Sequence, residues 1–522
     1  MRRVGKRCLA LGWVLGVVVT AGGASGCGVL TSSGDDDDPI TVGTADPVDT
    51  LDPAGAYDAG SWGLYSNVFQ SLLTFKAESP KPVPDAAKQC AFSNDELLTY
   101  VCELRSGLRF ASGRDITARD VKFSFDRLAT IRDPRGPMPL LTSLKSVETK
   151  GEDTVVFHLS SPDATFPYKI ATGAGSIVDS KEYSPTKLRT GDEVSGSGPY
   201  VLKKYEHEKV AELRPNGKYK GAIKQSGKPV TVRYFKDAEQ LRDAWKKHDV
   251  DVAARQLPPA YVRSLSAGDS SVKVMENPGA TTGNLVFNLR KDSPLRNPAI
   301  RRAIAAAVDR GELARKAHSR TVEPLYSLIP KGVTSHNTAF YDAYPEPSKE
   351  QARTLLQNAG VNTPVDFSMA YAPGSAAKAE GEELKAQLEA TGLFKVTFKQ
   401  YPWDEFQSGF NKGDYDAYGI IWYPDFLDAE TFVSPLIGAQ STLHNGYRNE
   451  RVETLIRETQ NTPQRDRGVW DFREIQNIVA RDIPILPLWQ GKDIVVSKDS
   501  IAGTQFLSEG NGMWRLWELG RI

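Results

Sequence analysis

Two spacings of apolar residues alternate along most of the chain. Strands are predicted where β-branched and aromatic residues concentrate, at 39–44, 154–159, 230–235 and 284–289. Elsewhere apolar residues recur at the spacing of one helix face, as Val121, Phe125 and Leu128 do. Strands that alternate with helices along a chain predict α/β lobes.

Capping residues mark where helices begin. Thr117 is followed three residues later by an aspartate, which is the spacing of a capping box. Asn297 precedes Pro298, and these types suit an N-cap and a first helical position. The helix that follows has one apolar face, so Arg301 and Arg302 are predicted on its solvated face.

The N-terminus has the organisation of an export signal. Four basic residues in the first seven precede a mostly apolar stretch that ends in "ASGC". Small residues before a cysteine resemble a bacterial lipoprotein cleavage box, so 1–26 is predicted as the signal and Cys27 as the lipidated residue. The alternative is an ordinary signal peptide cleaved elsewhere. The serines and aspartates of 27–38 then predict a flexible spacer.

Two cysteines remain once the signal and the lipidation site are set aside. Cys90 and Cys102 are separated by two extended runs around a Ser-Asn-Asp turn signal. A hairpin would bring them together, and exported proteins form disulfides, so a Cys90–Cys102 disulfide is predicted. Two unpaired buried thiols are the alternative.

Composition and missing motifs narrow the function classes. A net charge of zero and the lack of an internal basic run argue against a nucleic-acid partner. The sequence has no HExxH, GxSxG, GxGxxG or Walker A motif, so no metal or cofactor site is predicted. An enzyme whose carboxylates meet only in the folded chain stays open.

Five segments in order resemble the family 5 extracellular solute-binding proteins, which are ABC-importer receptors for dipeptides, oligopeptides and nickel. They are "NVFQSLLTF", "ELRSGLRFASGRDITARDVKFSFDRL", "GSGPYVLKKY", "VFNLRKDSPLRNPAIRRAIAAAVDR" and "DYDAYGIIWYPDFLDAETF". The resemblance implies an α/β, two-lobed periplasmic-binding-protein-like fold of class II, cluster C type. That fold has a hinge and an extra inserted domain.

The resemblance also implies how the lobes are divided. Lobe I is expected from 39–75, 195–285 and 490–522, and lobe II from 286–489. A small domain, 76–194, is inserted into lobe I. Ligand would bind in the cleft between the lobes, which close over it by a hinge motion.

The segment "IIWYPDFLDAETF" sets Asp425 among aromatic rings. In peptide-binding members of the family, an aspartate at this place pairs with the ligand's α-amino group, which implies that role for Asp425. Trp422, Tyr423 and Trp403 are expected to line the cleft beside it, since aromatic walls suit side chains and cations. The alternative for Asp425 is a loop residue that caps a helix near 429.

On lobe I, the resemblance places Tyr57, Asp58 and Trp62 in the loop that faces the cleft. One family feature is missing, because Gly419 stands where some oligopeptide receptors have an arginine. That arginine is one partner for a peptide carboxylate. Receptors for nickel chelates or oligosaccharides share the framework and stay open as alternatives, as does an exported enzyme or sensor.

The partners implied are a peptide ligand, an ABC permease with its ATPase, and the membrane through the Cys27 lipid. The chain is expected to act as a monomer on the outer face of the cell membrane and to need no cofactor.

Overall fold

The computed structural model describes residues 38–77, 79–265, 270–508 and 513–522. The predicted signal peptide, Cys27 and nearly all of the predicted spacer lie outside the described residues. In the described ranges, no helix is both long and apolar enough to span a bilayer.

The strands are numbered in chain order. They are β1 Ile40–Thr44, β2 Leu73–Thr74, β3 Val83–Pro84, β4 Ala87–Phe92, β5 Thr99–Leu104, β6 Leu144–Lys150, β7 Thr154–Leu159, β8 Tyr200–Glu206, β9 Val210–Pro215, β10 Val230–Tyr234, β11 Val252–Ala254, β12 Val272–Phe287, β13 Val322–Pro324, β14 Val365–Tyr371, β15 Phe394–Gln400, β16 Ala417–Trp422, β17 Ile485–Lys498, β18 Ile501–Ala502 and β19 Gly520–Arg521.

The α-helices are numbered in the same way. They are α1 Ala59–Val68, α2 Ala118–Ile131, α3 Phe166–Lys169, α4 Ala238–Lys246, α5 Pro259–Leu265, α6 Pro298–Ala307, α7 Arg310–Lys316, α8 Ala339–Ala343, α9 Lys349–Asn358, α10 Ala377–Ala390, α11 Trp403–Lys412, α12 Glu430–Ile437, α13 Glu450–Gln460 and α14 Val469–Asp482.

One 11-stranded mixed sheet runs through the molecule in the order β15-β14-β16-β12-β17-β11-β1-β10-β9-β8, with β13 beside β17. β1 pairs in parallel with β10 and β11, and β14 pairs in parallel with β15 and β16. Helix α10 joins β14 to β15, and α4 lies between β10 and β11, the two parallel neighbours of β1, as the alternation of strands and helices in the sequence predicts.

The two long central strands, β12 and β17, connect two hydrophobic cores. The first core draws on residues 40–254 and 495–519 together with Phe426. The second core is made from residues 280–489. The ladder between β12 and β17 shifts register between Pro278 and Thr282. A bulge of this kind bends a strand, and here it falls where the chain passes from one core to the other.

A separate four-stranded sheet, β4-β5-β7-β6, packs against α2. Cys90 and Cys102 face each other across β4 and β5 and form a disulfide, which confirms the pairing predicted from the sequence. Thr117 and Asp120 form the predicted capping box at the start of α2. The disulfide therefore joins two neighbouring strands of this sheet, and α2 packs against the other two, β6 and β7.

The helix caps agree with the sequence, but one surface assignment is wrong. Asn297 caps α6 by accepting from the Ala299 amide. Arg301, predicted on a solvated face, is buried instead. Its guanidinium donates to the carbonyls of Ile483 and Leu295 at 2.8 and 2.7 Å. It thereby satisfies the Ile483 carbonyl, which lies just after the end of α14 and has no partner within that helix.

Candidate functional site

A cavity of about 520 Å³ lies where the two central strands pass between the cores. Gly279 of β12 and Gly491 of β17 line it at this passage. Residues on the two sides of the passage form its walls, among them Arg255, Gln256 and Leu257 on one side and Trp403, Phe406 and Tyr423 on the other. Its size and mixed apolar and polar lining are those of a small-molecule site.

Asp425 lies in the loop between β16 and α12. The loop forms because Pro424 stops the ladder just after Trp422, and α12 begins at Glu430. Asp425 is only 9% exposed. The Tyr57 hydroxyl, from the segment before α1, faces its carboxylate. Asp425 and Tyr57 are therefore brought together from the two sides of the molecule.

Burial raises the pKa of the Asp425 carboxyl to about 7, although Tyr57 and Lys169 act to lower it. Burial also raises the pKa of Glu430, the first residue of α12. Lys169 of α3 faces both acids and lies 2.8 Å from Asp163 through its ammonium. The buried ammonium of Lys169 is thus surrounded by the three carboxyl groups of Asp163, Asp425 and Glu430. This excess of acidic groups favours the binding of a further cation.

The segment before α12 also contacts the segment that contains α3. Phe426 packs on Tyr168 with ring centroids 5.6 Å apart, and Phe426 belongs to the first core. The amide of Ala164 donates to the Gln460 carbonyl at 2.9 Å. The Phe426 contact holds the Asp425 loop, and the Gln460 contact holds the end of α13, against the segment that carries Lys169.

Two of the predicted site residues line the cavity. Trp403, at the start of α11, is 52% exposed, and Tyr423 is 44% exposed. The Tyr423 hydroxyl is nevertheless buried, which raises its pKa, and it faces Gln256 of the opposite wall. Asp425 follows Tyr423 by two residues but is not among the described residues that line the cavity.

Asp58 and Trp62, which were also predicted at the site, stabilise the loop that carries Tyr57. Asp58 caps α1 by accepting from the Ser61 amide at 2.8 Å. The indole of Trp62 is buried, donates to the Ala56 carbonyl at 3.3 Å, and packs against Tyr57 at 5.2 Å. They hold the Tyr57 loop in place.

Trp422 has a similar role on the other side. Its indole N–H donates to the Thr431 carbonyl at 2.9 Å. It therefore ties the end of β16 to the first turn of α12, across the loop that carries Asp425.

Sequence reasoning missed two adjacent residues of the wall. Arg255 and Gln256 both have positive φ, 63° and 59°, directly after β11. Two neighbouring non-glycine residues in this conformation are costly and are held by their surroundings. Arg255 lies 3.3 Å from Asp46 as an ion pair and stacks over Trp514. Nothing in the local sequence "AARQLP" signals this conformation.

A buried polar cluster in the cavity wall was also missed. Glu380 of α10 accepts from the Tyr371 hydroxyl at 2.9 Å and from the Trp489 indole at 2.7 Å. His318 Nε2 lies 2.7 Å from the same carboxylate. Its members come from three distant parts of the chain, around 318, 371–380 and 489, so no motif could have revealed it.

Gly419 is explained by this cluster. A Cβ added at Gly419 would overlap the ring of Tyr371, and one added at Gly283 would overlap the indole of Trp489. Glycine in a strand often marks such a close approach. The arginine that the resemblance led us to look for at 419 is replaced by the packed ring of Tyr371.

The sequence of the chain is similar to one protein family and to known relatives. The family model for bacterial extracellular solute-binding proteins, family 5 Middle, matches residues 81–442. The probable D,D-dipeptide-binding periplasmic protein of Escherichia coli (strain K12) is 26% identical over 90% of this chain and 92% of its own. The dipeptide-binding protein of the same strain is 24% identical over 82% and 84% of the two chains.

A solved structure, the dipeptide-binding protein of Pseudoalteromonas sp. SM9913 in complex with Met-Leu, matches with a TM-score of 0.78. It is 17% identical and covers 93% of this chain and 100% of its own. The agropinic-acid complex of AgaA from A. tumefaciens R10 matches with a TM-score of 0.76 at 20% identity, over 93% and 99% of the two chains. The two-lobed α/β fold predicted from the sequence is thereby confirmed, whereas the residue boundaries of the lobes stay a prediction.

Proposed function

Because this chain belongs to the bacterial extracellular solute-binding proteins of family 5, we propose that it captures peptides in the interlobe cavity. It then delivers them to an ABC permease and takes no part in chemistry on them. Its relatives include a dipeptide-binding protein and a probable D,D-dipeptide-binding protein, which favours short peptides. The proposed anchor is a diacylglycerol on Cys27, with 27–38 as the spacer.

The observation that carries the proposal is the buried carboxylate of Asp425. A charged carboxylate without a full partner is costly inside a protein, as its raised pKa records. The α-amino group of a peptide supplies the missing positive charge, and exclusion of water strengthens the resulting pair. Tyr57, across the lobes from Asp425, would then close over the bound amino group.

The cavity provides room for the rest of the ligand next to this anchor. Tyr423 links the two, because it lines the cavity two residues before Asp425. Trp403 offers an exposed aromatic face on the same wall. Closure would use the register shift at Pro278–Thr282 as part of the hinge.

The test is isothermal titration with a mixed library of di- to pentapeptides. We expect submicromolar to micromolar binding, no turnover of the peptide, and a loss of affinity of about 100-fold or more when the N-terminus is acetylated or in Asp425→Asn. Asp404→Asn is a matched control, because Asp404 is a solvent-exposed aspartate at the start of α11.

Two results would contradict the proposal. If no peptide binds while a nickel chelate or an oligosaccharide does, the ligand class is wrong. If peptides bind but Asp425→Asn keeps their affinity within about threefold, the ligand is a peptide and the anchor is wrong.

A further inference from the structure

His318 is the cavity-lining group whose chemistry is not accounted for by an amino-group anchor. It follows α7 and is 5% exposed, yet it lines the cavity together with Glu380, Tyr371 and Trp489. Its ring also packs on Trp489, with centroids 4.8 Å apart. The imidazole is therefore fixed in place at a surface that the ligand reaches.

The carboxylate of Glu380 orients this imidazole. One Glu380 oxygen accepts from Tyr371, and the other accepts from Trp489 and faces His318 Nε2. Because an ionised carboxylate only accepts hydrogen bonds, Nε2 carries a hydrogen in this arrangement. Both Glu380 oxygens are used, so Glu380 acts on a ligand through His318.

The other ring nitrogen of His318 is left for the ligand. Nδ1 makes no hydrogen bond with any part of the chain that the structure describes. The arginine and the lysine described in the cavity wall already form ion pairs. Arg255 lies 3.3 Å from Asp46, and Lys492 lies 2.7 Å from Glu276. Among the basic side chains described in the wall, His318 is thus the one with a nitrogen that has no partner in the described part of the protein.

We propose that His318, positioned by Glu380, binds the carboxylate of the ligand through Nδ1–H. In the complex the imidazole carries protons on both nitrogens, and each N–H donates to a carboxylate, Glu380 on one side and the ligand on the other. The added proton comes from solvent when the ligand binds. This inference rests on the proposed peptide function and names what holds the end of the ligand that Asp425 does not.

Gly419 fits the same assignment. The ring of Tyr371 takes the space over Gly419, and the Tyr371 hydroxyl donates to Glu380. The residues that leave no room for a side chain at 419 are therefore the ones that hold the imidazole. The cluster replaces one kind of carboxylate partner with another.

The experiment compares each peptide as its free acid and as its C-terminal amide, by titration calorimetry on the full chain. The wild type is expected to bind the acid at least about tenfold more tightly, since a charged hydrogen bond is at stake. His318→Gln keeps a donor for Glu380 but lacks the Nδ1 group, so its acid-to-amide ratio should fall to about one. His318→Asn, whose amide reaches the Nδ1 position, should keep part of the preference.

The inference is overturned if the wild type binds the acid less than about threefold more tightly than the amide. It is also overturned if His318→Gln keeps the acid-to-amide affinity ratio of the wild type. The wild-type measurement needs no variant, so the inference remains testable if a variant fails to fold. If acid and amide bind equally while N-acetylation abolishes binding, the inference fails and the proposed function stands. If no peptide binds in any form, both fail.

An NMR measurement supplies an independent readout. The chain has six histidines, so the imidazole signals are few, and His318→Gln identifies the one of interest. Its signal should move on adding a peptide acid and stay in place with the matching amide. If the His318 imidazole signal does not move with either ligand, the inference is contradicted.

Discussion

Binding of a peptide should release a proton from Asp425. Burial raises the pKa of Asp425 to about 7, so at pH 6.0 about 0.9 of the carboxyl is protonated in the free protein. A ligand ammonium beside it favours the ionised form, and the proton leaves. The groups that face Asp425 are Tyr57 from the segment before α1, Lys169 from α3 and Glu430 from α12.

The contribution of Asp425 to affinity follows from the same pKa. Protonation of the free carboxyl weakens binding about 100-fold at pH 5 and about twofold at pH 7, so the ratio of wild-type affinity to that of Asp425→Asn should rise about 50-fold between these values. The rise of the pKa from 3.8 to about 7 also corresponds to about 4 kcal/mol against the charged carboxylate in the folded chain. Because the folded state holds this proton more tightly than the unfolded chain, the unliganded wild type should lose stability relative to Asp425→Asn as pH rises from about 4 to about 7.

The assay is calorimetry at pH 6.0 in buffers of different ionisation enthalpy. The number of protons released on binding is measured for the wild type and for Asp425→Asn with the same peptide. The difference between the two numbers cancels the protons exchanged by every other group. We expect a difference of about 0.9 proton. Lys169→Met should move the pH midpoint of the release upward, because Lys169 lowers the pKa of Asp425. A difference near zero at pH 6.0 would refute the placement of the ligand's ammonium at Asp425.

The remaining predictions concern stability and are each checked by urea unfolding. Arg301→Leu should lose about 3 kcal/mol or more, because several buried carbonyls lose their donor, whereas Arg302→Leu on the same helix should change little. Gly419→Ala should lose about 1–3 kcal/mol from overlap with Tyr371, and an unchanged midpoint would contradict the packing described. Replacement of Cys90 and Cys102 by serine should lose about 3 kcal/mol, and reductant should then have no further effect.

Local signals in the sequence predicted local structure well. The capping residues Thr117 and Asn297 act through amides within three residues of themselves, so their meaning is contained in the segment around them. The same holds for Cys90 and Cys102, which one hairpin joins. The prediction for Arg301 was wrong because some of its acceptors belong to the end of α14, about 180 residues away, and helical periodicity carries no information about them.

The site was predictable where the family resemblance supplied a position and unpredictable where tertiary packing decides it. Asp425 was predicted through its surrounding motif, and its role in binding stays a prediction. The roles of Trp422 and Trp62 depend on carbonyls supplied by neighbouring turns. Trp403 and Trp62 are the same residue type. Only the fold shows that Trp403 is exposed in the cavity wall, whereas Trp62 is buried and supports a loop.

Gly419 shows how a missing side chain changes meaning once its neighbours are known. In the sequence it is a lost arginine, and therefore a lost carboxylate partner. In the fold, strand pairing sets Gly419 opposite Leu285, two residues on from Gly283, and both glycines admit aromatic rings whose polar ends meet at Glu380. The absence of a Cβ at these positions is the condition for a buried carboxylate that holds an imidazole in the cavity wall. An arginine restored at 419 would displace Tyr371 and loosen Glu380, so it should weaken binding of a peptide acid instead of strengthening it.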